Sequence, residues 1–585
     1  MTLRFFKGRR SPPAYFPGED IQETAGGRMD TANRHAIETG RTRLIVTGAL
    51  FMAAFGIVAL RMVDVTVLKA GQETRHAGIR HSVELHMQRA DIVDRNGVAL
   101  ATSLPTVSVY ANPTEIIDAE DAAAELVTAL PELSQAEVLA RLRMDRSFVY
   151  LRRNLTPRQQ YAVNALGIPG LYFEKSERRV YPHGRTAAHI VGLTDVDNNG
   201  IAGVEKTLDA RLRDFRDPLR LSIDLRVQTV LRNELARAVA TFRAVGATGM
   251  VLDVRTGELL AMVSLPDFDP NAPASTTAEA MFNRATLGVY EMGSTFKLFN
   301  TAAALDSGTA TMKSGYDASQ PIRIARFTIT DYHAKNRWLS VPEILVHSSN
   351  IGSAKMALDM GTETQRAYLG RLGLLRAASV ELPEVGAPLV PSPWREINTM
   401  TISYGHGLAV TPLQMVTGVA ALVNGGIYRP ATLVLRDSVG DLPGQRVLKP
   451  ETSRAMRQLM RMVVTEGTGG KADVVGYNVG GKTGTAEKLG AGGSYRRKSL
   501  LSSFIATFPA DEPRYVVLAM IDEPQGTKET FGYATGGWTA APAVGRTIAQ
   551  IGPMLGVAPR LPAEPQEPGM LHQAAANGSK LASAQ

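Results

Sequence analysis

The sequence of 585 residues contains no cysteine. Disulfide bonds, cysteine-ligated zinc, iron–sulfur clusters and a cysteine nucleophile are therefore excluded. Aromatic residues make up only 6% of the chain, and the charged residues, 21% of it, are scattered rather than gathered in runs of one sign. With a net charge of +8 on this length, nothing in the composition favours nucleic-acid binding. The hydrophobic fraction of 44% is that of a globular protein.

Long hydrophobic runs are also scarce, with one exception. Residues 44–60 form an uncharged run of 17 residues between Arg43 and Arg61. Extended to residue 63, with Arg61 reaching towards the surface, a helix here is about 30 Å long, which predicts a single membrane anchor over residues 44–63. A buried core helix and a cleaved signal peptide are the alternatives. The run is apolar on every face, and no small-residue cleavage site follows it, so the anchor is favoured.

The orientation of the anchor rests on the charge of its flanks. The 20 residues on each side carry four Lys or Arg apiece, which is a tie. The whole preceding tail, residues 1–43, holds eight Lys or Arg against five Asp or Glu. This excess favours a cytoplasmic tail and a large part of the chain outside the cytoplasm, in the periplasm.

The remaining sequence divides into segments of different pattern. The tail has no periodicity and is predicted to be disordered. Residues 64–217 mix short strands with helices, and we call this segment the pedestal. Residues 218–555 form a larger second domain, and residues 556–585, rich in Pro, Ala and Gln, predict a disordered C-terminal tail.

The second domain alternates strand and helix patterns. A helical pattern covers residues 225–242, followed by two short apolar runs, 250–254 and 259–263, that predict a hairpin. A second hairpin is predicted at 503–508 and 515–521, with a further strand at 479–486. Helical sequence lies between the two strand groups. The fold class is therefore α/β, with one antiparallel sheet built from both ends of the domain and flanked by helices.

Ser294 and Lys297 are three residues apart at the start of a predicted helix. At this spacing the two side chains share one face, so the amine reaches the hydroxyl. A buried neutral lysine is able to take the proton that makes a serine nucleophilic. The alternative is a solvated helix face that carries no chemistry.

Two further short patterns contain hydroxyl, amide and amine groups. Ser348-Ser349-Asn350 lies between two helical segments, where a helix cap is the alternative to a site. Gly481 to Thr485 reads G-K-T-G-T on a predicted strand. There Lys482, Thr483 and Thr485 offer a positive charge and hydroxyls, and Gly484 permits close approach of an extended ligand that ends in a carboxylate.

In this order the three patterns S-x-x-K, S-x-N and K-T-G resemble the signature of the penicillin-recognising serine acyltransferases. From the anchor to about residue 550 the chain resembles a class B penicillin-binding protein. The resemblance implies a penicillin-binding transpeptidase fold with an N-terminal mixed α+β pedestal of the dimerisation type. Four pedestal segments carry it (residues 89–97, 179–184, 189–192 and 200–205), and we expect these to be structural.

Residues 403–408 and 410–414 are similar to the division-specific (FtsI-type) branch of this family. His406 stands where the branch often has Tyr, and we expect it to pack in its loop. The branch implies septal cell-wall synthesis, with an FtsW-type polymerase of lipid-II glycan and other division proteins as partners. An elongation-type enzyme, or a scaffold that recruits the polymerase, remains an alternative.

The resemblance also implies a reaction that needs no cofactor or metal. Ser294 attacks the D-Ala-D-Ala end of a peptidoglycan stem peptide with Lys297 as base, Ser348 passes a proton to the departing D-Ala, and Asn350 holds the donor amide. Residues 482–485 bind the terminal carboxylate. A neighbouring amine then takes the acyl group, and β-lactam antibiotics inhibit by acylating the same serine. A β-lactamase or D,D-carboxypeptidase shares the triplet but needs neither anchor nor pedestal.

Overall fold

The computed structural model describes residues 45–59 and 89–560, apart from short gaps at 325–326, 437–441, 443 and 490–494. The chain divides into two units, Met1–His86 and Met87–Gln585. In the first unit, helix α1 covers residues 45–59. Among the described residues, no helix combines the length and apolar character needed to cross a membrane. The tail 1–43 and the remaining positions of the predicted anchor, 44 and 60–63, lie outside the described residues.

The pedestal is a mixed α+β structure, as the sequence predicts. Its strands are β1 Ile92–Val93, β2 Ala99–Ala111, β3 Val149–Leu155, β4 Leu171–Val180, β5 Leu193–Thr194 and β6 Gly200–Ala202. Strand β7, Leu219–Arg220, lies just past the predicted boundary at 217 and joins the same sheet. Its helices are α2 Ala119–Ala129, α3 Gln135–Leu142, α4 Pro157–Ala165, α5 Ala188–Val191, α6 Gly203–Thr207 and α7 Asp209–Asp214. Strand β2 pairs with β1, β3 and β4, and β1 pairs in parallel with β7.

Buried ion pairs join three of the four pedestal segments that the sequence singles out, 89–97, 179–184 and 200–205. Glu205 accepts from Nε of Arg89 at 2.6 Å and from Nε of Arg179 at 2.7 Å, and all three side chains are at most 2% exposed. Asp209 accepts a second hydrogen bond from Arg89, at 2.7 Å. A buried carboxylate between two guanidinium groups holds three distant segments of chain in one arrangement. These contacts are structural in kind, in agreement with the expectation.

The larger domain contains α8 and a second five-stranded sheet. Its strands are β8 Gly246–Asp253, β9 Leu259–Leu265, β10 Gly315–Asp317, β11 Ile322–Ile324, β12 Phe327–Ile329, β13 Trp338–Ser340, β14 Ile427–Tyr428, β15 Gln445–Arg446, β16 Gly480–Leu489, β17 Tyr495–Phe508 and β18 Tyr515–Asp522. Its helices are α8 Leu225–Phe242, α9 Ala278–Met281, α10 Lys297–Ser307, α11 Val341–Val346, α12 Asn350–Met360, α13 Thr362–Arg371, α14 Glu396–Ile402, α15 Pro412–Val423, α16 Pro450–Thr465 and α17 Ala540–Met554.

Five strands form one antiparallel sheet in the order β16-β17-β18-β8-β9. The prediction of a sheet assembled from both ends of the domain is therefore confirmed. Every residue of β8, β9 and β18 is buried. Strands covered on both faces need continuous apolar runs, which explains why these segments lack a polar alternation.

Helices cover the two faces of this sheet. Successive residues of a strand point to opposite faces, so Met250 of β8 packs in the core with α10, α15 and α16. Its neighbour Val251 packs in a second core with α8 and α17. The sheet is thus the middle layer of three, and β16 is the edge strand beside α16 and the turn at residues 293–296.

The packed chain continues beyond the predicted end of the domain at residue 555. Val557 is only 7% exposed and belongs to the core beneath α8 and α17. The backbone N–H of Arg560 donates to the carbonyl of Gly476 at 2.8 Å, and its side chain pairs with Asp511 and Glu512. Residues 556–560 therefore form part of the folded domain rather than of a disordered tail. Residues 561–585 lie outside the described residues.

Candidate active site

Ser294 lies in a 3₁₀ turn, Gly293–Phe296, that leads directly into α10. The Nζ of Lys297, the first residue of α10, is 2.8 Å from the Oγ of Ser294. Lys297 has no exposed surface, whereas Ser294 is half-buried. The predicted contact between amine and hydroxyl is present, across one helical turn.

The segment Ser348-Ser349-Asn350 connects α11 to α12, and it serves both as a helix cap and as part of the site. Ser349 is the N-cap of α12 and accepts from the N–H of Gly352 at 2.9 Å. The residues on either side of it contact Lys297: its Nζ is 3.3 Å from Ser348 Oγ and 2.8 Å from Asn350 Oδ1. The helix cap is therefore present at Ser349, and its two neighbours lie beside Lys297.

The backbone of Ser348 has a φ of 59°, in the left-handed region. For a residue other than glycine this conformation costs about 1–3 kcal/mol and persists only when the surroundings fix it. The hydroxyl of Ser348 lies between the two lysines, 3.3 Å from Lys297 Nζ and 3.1 Å from Lys482 Nζ. The strained residue is thus the bridge between the two amines.

Asn350 is engaged at both ends of its side-chain amide. Its Oδ1 accepts from Lys297, and its Nδ2 donates to the backbone carbonyl of Thr330 at 2.9 Å. The sequence assigns Asn350 to the donor amide of a ligand. In the structure the same side chain orients Lys297, a role that the sequence does not predict.

Strand β16 brings the third pattern to the other side of the site. Lys482 has no exposed surface, and its Nζ also contacts the carbonyl and the hydroxyl of Thr483 at 3.2 and 3.3 Å. The hydroxyl of Thr483 is 2.7 Å from that of Thr468, and the hydroxyl of Thr485 accepts from the N–H of Gly536 at 3.1 Å. Lysine and hydroxyl groups therefore line the edge of the sheet next to Ser294.

Three glycines let the turn that carries Ser294, strand β16 and the loop after α14 cross in close contact. A Cβ at Gly405 would lie 2.0 Å from the carbonyl oxygen of Gly293, and one at Gly293 would lie 2.5 Å from that of Thr485. A Cβ at Gly484 would lie 2.8 Å from the carbonyl oxygen of Met292. Gly293 and Gly405 also have positive φ, 56° and 90°. Only glycine satisfies both requirements at 293 and 405, and the close approach alone explains glycine at 484. Gly405 is thereby added to the residues that build the site.

Burial controls the charge of both lysines. Burial, and after it the charge of Lys482, lowers the pKa of Lys297 well below its ordinary value, while Asp331 acts in the opposite direction. Burial alone lowers the pKa of Lys482 to about 7. Two amines in contact with one hydroxyl disfavour a double positive charge. The neutral amine needed at Lys297 is thus a property of the site.

A neutral Lys297 amine has a defined choice of hydrogen bonds. It carries two N–H donors and one lone pair, and it has three oxygen partners: Ser294, Ser348 and Asn350. The amide oxygen of Asn350 only accepts, so the lone pair must receive an O–H from one of the two serines. The arrangement therefore aims a hydroxyl proton at the amine, as general-base catalysis requires.

His406 lies in the loop after α14, next to the site. Burial, followed by the charge of Lys297, lowers the pKa of His406 to about 4. Its ring packs 5.5 Å from that of Tyr404, whose centroid is 5.9 Å from Lys297 Nζ. A neutral histidine packed in a loop agrees with the expectation.

Within the part of the chain that the structure describes, no group of His, Asp and Glu is arranged to hold a metal ion.

Asp331 is a residue of the site that the sequence does not reveal. It follows β12 and accepts hydrogen bonds from Ser349, Asn350 and Ile351. About 18 residues separate it from these partners, in a stretch of short strands without periodicity. The one available signal is the side-chain type, since carboxylates are favoured near helix N-termini.

Comparison with known proteins identifies similar chains over most of the length. A family model described as the penicillin binding protein transpeptidase domain matches residues 247–549, and one described as the penicillin-binding protein dimerisation domain matches residues 85–217. The chain is 44% identical over 481 residues to the probable peptidoglycan D,D-transpeptidase FtsI of Caulobacter vibrioides, covering 80% of this chain and 82% of that protein. It is 34% identical over 502 residues to the peptidoglycan D,D-transpeptidase FtsI of Escherichia coli K12, covering 80% and 84%.

Two solved structures of penicillin-binding proteins are also similar to this chain. Penicillin binding protein 3 of Mycobacterium tuberculosis, complexed with ampicillin, is 24% identical and covers 82% of this chain and 98% of its own, with a TM-score of 0.65. The transpeptidase domain of Burkholderia pseudomallei penicillin-binding protein 3 is 33% identical and covers 58% of this chain and 98% of its own, with a TM-score of 0.53. The first likeness establishes the fold, and the second also matches the larger domain in sequence.

Proposed function

Because the chain belongs to the penicillin-binding protein transpeptidases, we propose how its residues carry out the reaction. The enzyme is a serine-type D-Ala-D-Ala transpeptidase that cross-links peptidoglycan stem peptides and is inhibited by β-lactams. The single observation that carries the residue assignment is the set of contacts at Lys297 Nζ, which touches Ser294, Ser348 and Asn350 at once.

In the first step Ser294 is acylated. Its Oγ attacks the carbonyl carbon of the penultimate D-Ala, and its proton moves to the lone pair of Lys297, 2.8 Å away. The backbone N–H groups of Ser294 and Thr485 stabilise the oxyanion, where one donor typically contributes about 2.7–4 kcal/mol. The C–N bond then breaks, and the departing D-Ala amine takes a proton from Ser348, which the neighbouring lysines resupply.

Strand β16 recognises the terminal carboxylate of the donor peptide. Lys482 supplies the positive charge, Thr483 and Thr485 supply hydroxyls, and Gly484 permits close approach. A carboxylate next to Lys482 favours the charged ammonium, so its pKa of about 7 rises when the donor binds. Binding of the donor is therefore coupled to proton uptake in neutral solution.

In the second step an amine of a neighbouring stem peptide attacks the acyl carbon. Lys297, again neutral after release of D-Ala, takes a proton from that amine. A new peptide bond forms, the bond to Oγ breaks, and Ser294 regains its proton. The same residues thus serve both steps in reverse roles.

The wider setting of the site is also proposed. Residues 44–63 form a single-pass anchor with a cytoplasmic N-terminus. The pedestal 64–217 carries the transpeptidase domain 218–555 in the periplasm. There the enzyme serves septal wall synthesis beside an FtsW-type glycan polymerase. The uncharged run 44–60 supports the anchor, and similarity to FtsI proteins supports the septal role. Protease added to spheroplasts should remove the large domain and spare an N-terminal tag. A mature chain that starts after residue 60 would contradict the anchor.

Covalent labelling tests the assignment of the nucleophile. A fluorescent penicillin should label the full chain but not Ser294→Ala. Ser307→Ala, at the end of the same helix, is the matched control and should label as the wild type does. Detection of a β-lactam adduct on Ser294→Ala by intact mass would refute the assignment. Faster turnover of a thioester donor when an amine acceptor is added separates the transpeptidase from a hydrolase.

A further inference from the structure

Asp331 binds the segment that carries Ser348 and Asn350. Its Oδ2 accepts from the hydroxyl of Ser349 at 2.7 Å, and its Oδ1 accepts from the backbone N–H groups of Asn350 and Ile351 at 2.6 and 2.9 Å. One half-buried carboxylate therefore receives three hydrogen bonds from three consecutive residues.

These bonds are made at the N-terminus of α12, an 11-residue helix. The first N–H groups of a helix have no partner within it, and a negative charge there is stabilised by the helix dipole. Ser349, the N-cap, meanwhile accepts from Gly352, so its hydroxyl proton is free to donate to Asp331. The carboxylate of Asp331 and the first residues of α12 thus form one hydrogen-bonded unit.

The same unit fixes the two neighbours of Ser349 that contact Lys297. Ser348 precedes it with a left-handed φ of 59°, a conformation that needs external support. Asn350 follows it, and its Nδ2 is held by the carbonyl of Thr330, the residue before Asp331. Residues 330 and 331 consequently hold both the backbone and the side chain of the segment opposite Ser294.

We propose that Asp331 is a positioning residue for acyl transfer, which fixes Ser348 and Asn350 at the distances from Lys297 that proton transfer requires. This inference rests on the proposed function of the site. Asp331 touches neither the substrate nor the reacting atoms in this role, and acts through the N-terminus of α12.

The charge of Asp331 gives the proposal a signature that a purely structural contact lacks. Lys297 faces Lys482 from β16, His406 and the ring of Tyr404 from the loop after α14, and Asp331 from the loop after β12. Burial and Lys482 lower the pKa of Lys297, whereas Asp331 raises it. Removing the negative charge should therefore lower the pKa of Lys297 further, so that the amine stays neutral at lower pH.

The test compares Asp331→Ala and Asp331→Asn in the full chain, purified in detergent, by the second-order rate of acylation with a penicillin from pH 5 to 8. Asp331→Ala loses all three hydrogen bonds, and we expect a rate at least 30-fold lower. Asn keeps acceptor and donor atoms of similar shape, so Asp331→Asn should lose less and should move the acid limb of the profile to lower pH. Asp317→Asn, an exposed carboxylate on β10, is the matched control and should leave rate and profile unchanged.

The outcomes separate this inference from the proposed function. If the wild type is acylated at Ser294, while Asp331→Ala acylates within threefold of it and the acid limb of Asp331→Asn coincides with that of the wild type, the positioning role is wrong. If Asp331→Ala does not fold, Asp331→Asn alone decides by its acid limb. Absence of wild-type labelling, or labelling of Ser294→Ala, overturns the proposed function itself.

Discussion

Deprotonation of Lys482 should cause the acylation rate to fall at alkaline pH, which gives the pH profile its alkaline limb. Its side chain is wholly buried, and burial lowers its pKa from the ordinary 10.5 to about 7. Only the ammonium form carries the charge that binds a carboxylate. A penicillin that retains its carboxylate should therefore acylate the enzyme more slowly as the pH rises above 7.

The size of the effect follows from the fraction of free enzyme that is protonated. With a pKa of about 7, about half of the Lys482 side chains are charged at pH 7, about a tenth at pH 8 and about a hundredth at pH 9, since each pH unit above the pKa changes the ratio tenfold. The second-order rate constant reports free-enzyme groups. We expect it to fall close to tenfold per pH unit between pH 7.5 and 9.

The assay is stopped-flow acylation by a carboxylate-bearing penicillin at closely spaced pH values. Two controls isolate the charge. Lys482→Arg keeps a guanidinium that does not deprotonate in this range, so it should acylate measurably and without an alkaline limb. The methyl ester of the same penicillin has no carboxylate and should show no alkaline limb with the wild type.

Each of three results would refute the reasoning. The first is a wild-type rate that does not change from pH 7.5 to 9. The second is an equal fall with the methyl ester, because no carboxylate is then involved. The third is an unchanged alkaline limb in Lys482→Arg, which would assign the titration to another group.

Three further predictions address other parts of the structure. Lys297→Arg should be as inactive as Lys297→Ala, because an always-protonated guanidinium accepts no proton. Both variants should be acylated by a penicillin about 100-fold more slowly than the wild type, or slower still. A near-wild-type rate would make Ser348 the next candidate for the base. Gly405→Ala should lower the melting temperature and slow acylation more than tenfold, since its Cβ meets the carbonyl of Gly293 at 2.0 Å; unchanged acylation would mean that the crossing relaxes. Glu205→Gln should lower the free energy of unfolding by about 3–5 kcal/mol yet leave acylation by folded protein within twofold, and a selective loss of rate would give the pedestal a catalytic role.

The sheet could be predicted because burial on both faces leaves a strong pattern. The apolar runs predicted as strands at 250–254 and 259–263 correspond to β8 and β9, and those at 503–508 and 515–521 lie within β17 and β18. The helix predicted at 225–242 is α8. Both faces of such a strand are covered in the folded domain, so packing favours the same strand that the local sequence favours.

Other elements leave no such pattern. Strands β10 to β13 have three residues each and few buried positions, so they are too short for apolar runs or alternation to mark them. The parallel pairing of β1 with β7 joins two-residue strands more than 120 residues apart. Pairing of this kind is set by the surrounding fold rather than by the residues that pair.

For the site, the sequence predicts which side chains take part and whether each lies on a helix, turn or strand. The distances between side chains that are far apart in the chain depend on the fold. The spacing of Ser294 and Lys297 predicts their contact because one helical turn joins them. The contacts of Lys297 with Ser348 and Asn350 span more than 50 residues, and only the packing of α12 against α10 brings them about. Asp331 and Gly405 act through backbone groups, which side-chain motifs do not reveal.

The order of strands in the sheet has a consequence for how the chain folds during synthesis. Strand β8 leaves the ribosome early, but one of its neighbours, β18, follows about 260 residues later. At roughly 5–20 residues per second this delay is on the order of ten seconds to a minute. Throughout this delay the first hairpin has an unpaired, largely apolar edge, which is prone to aggregate. We therefore expect a chain cut anywhere before β18 to form no part of this sheet stably.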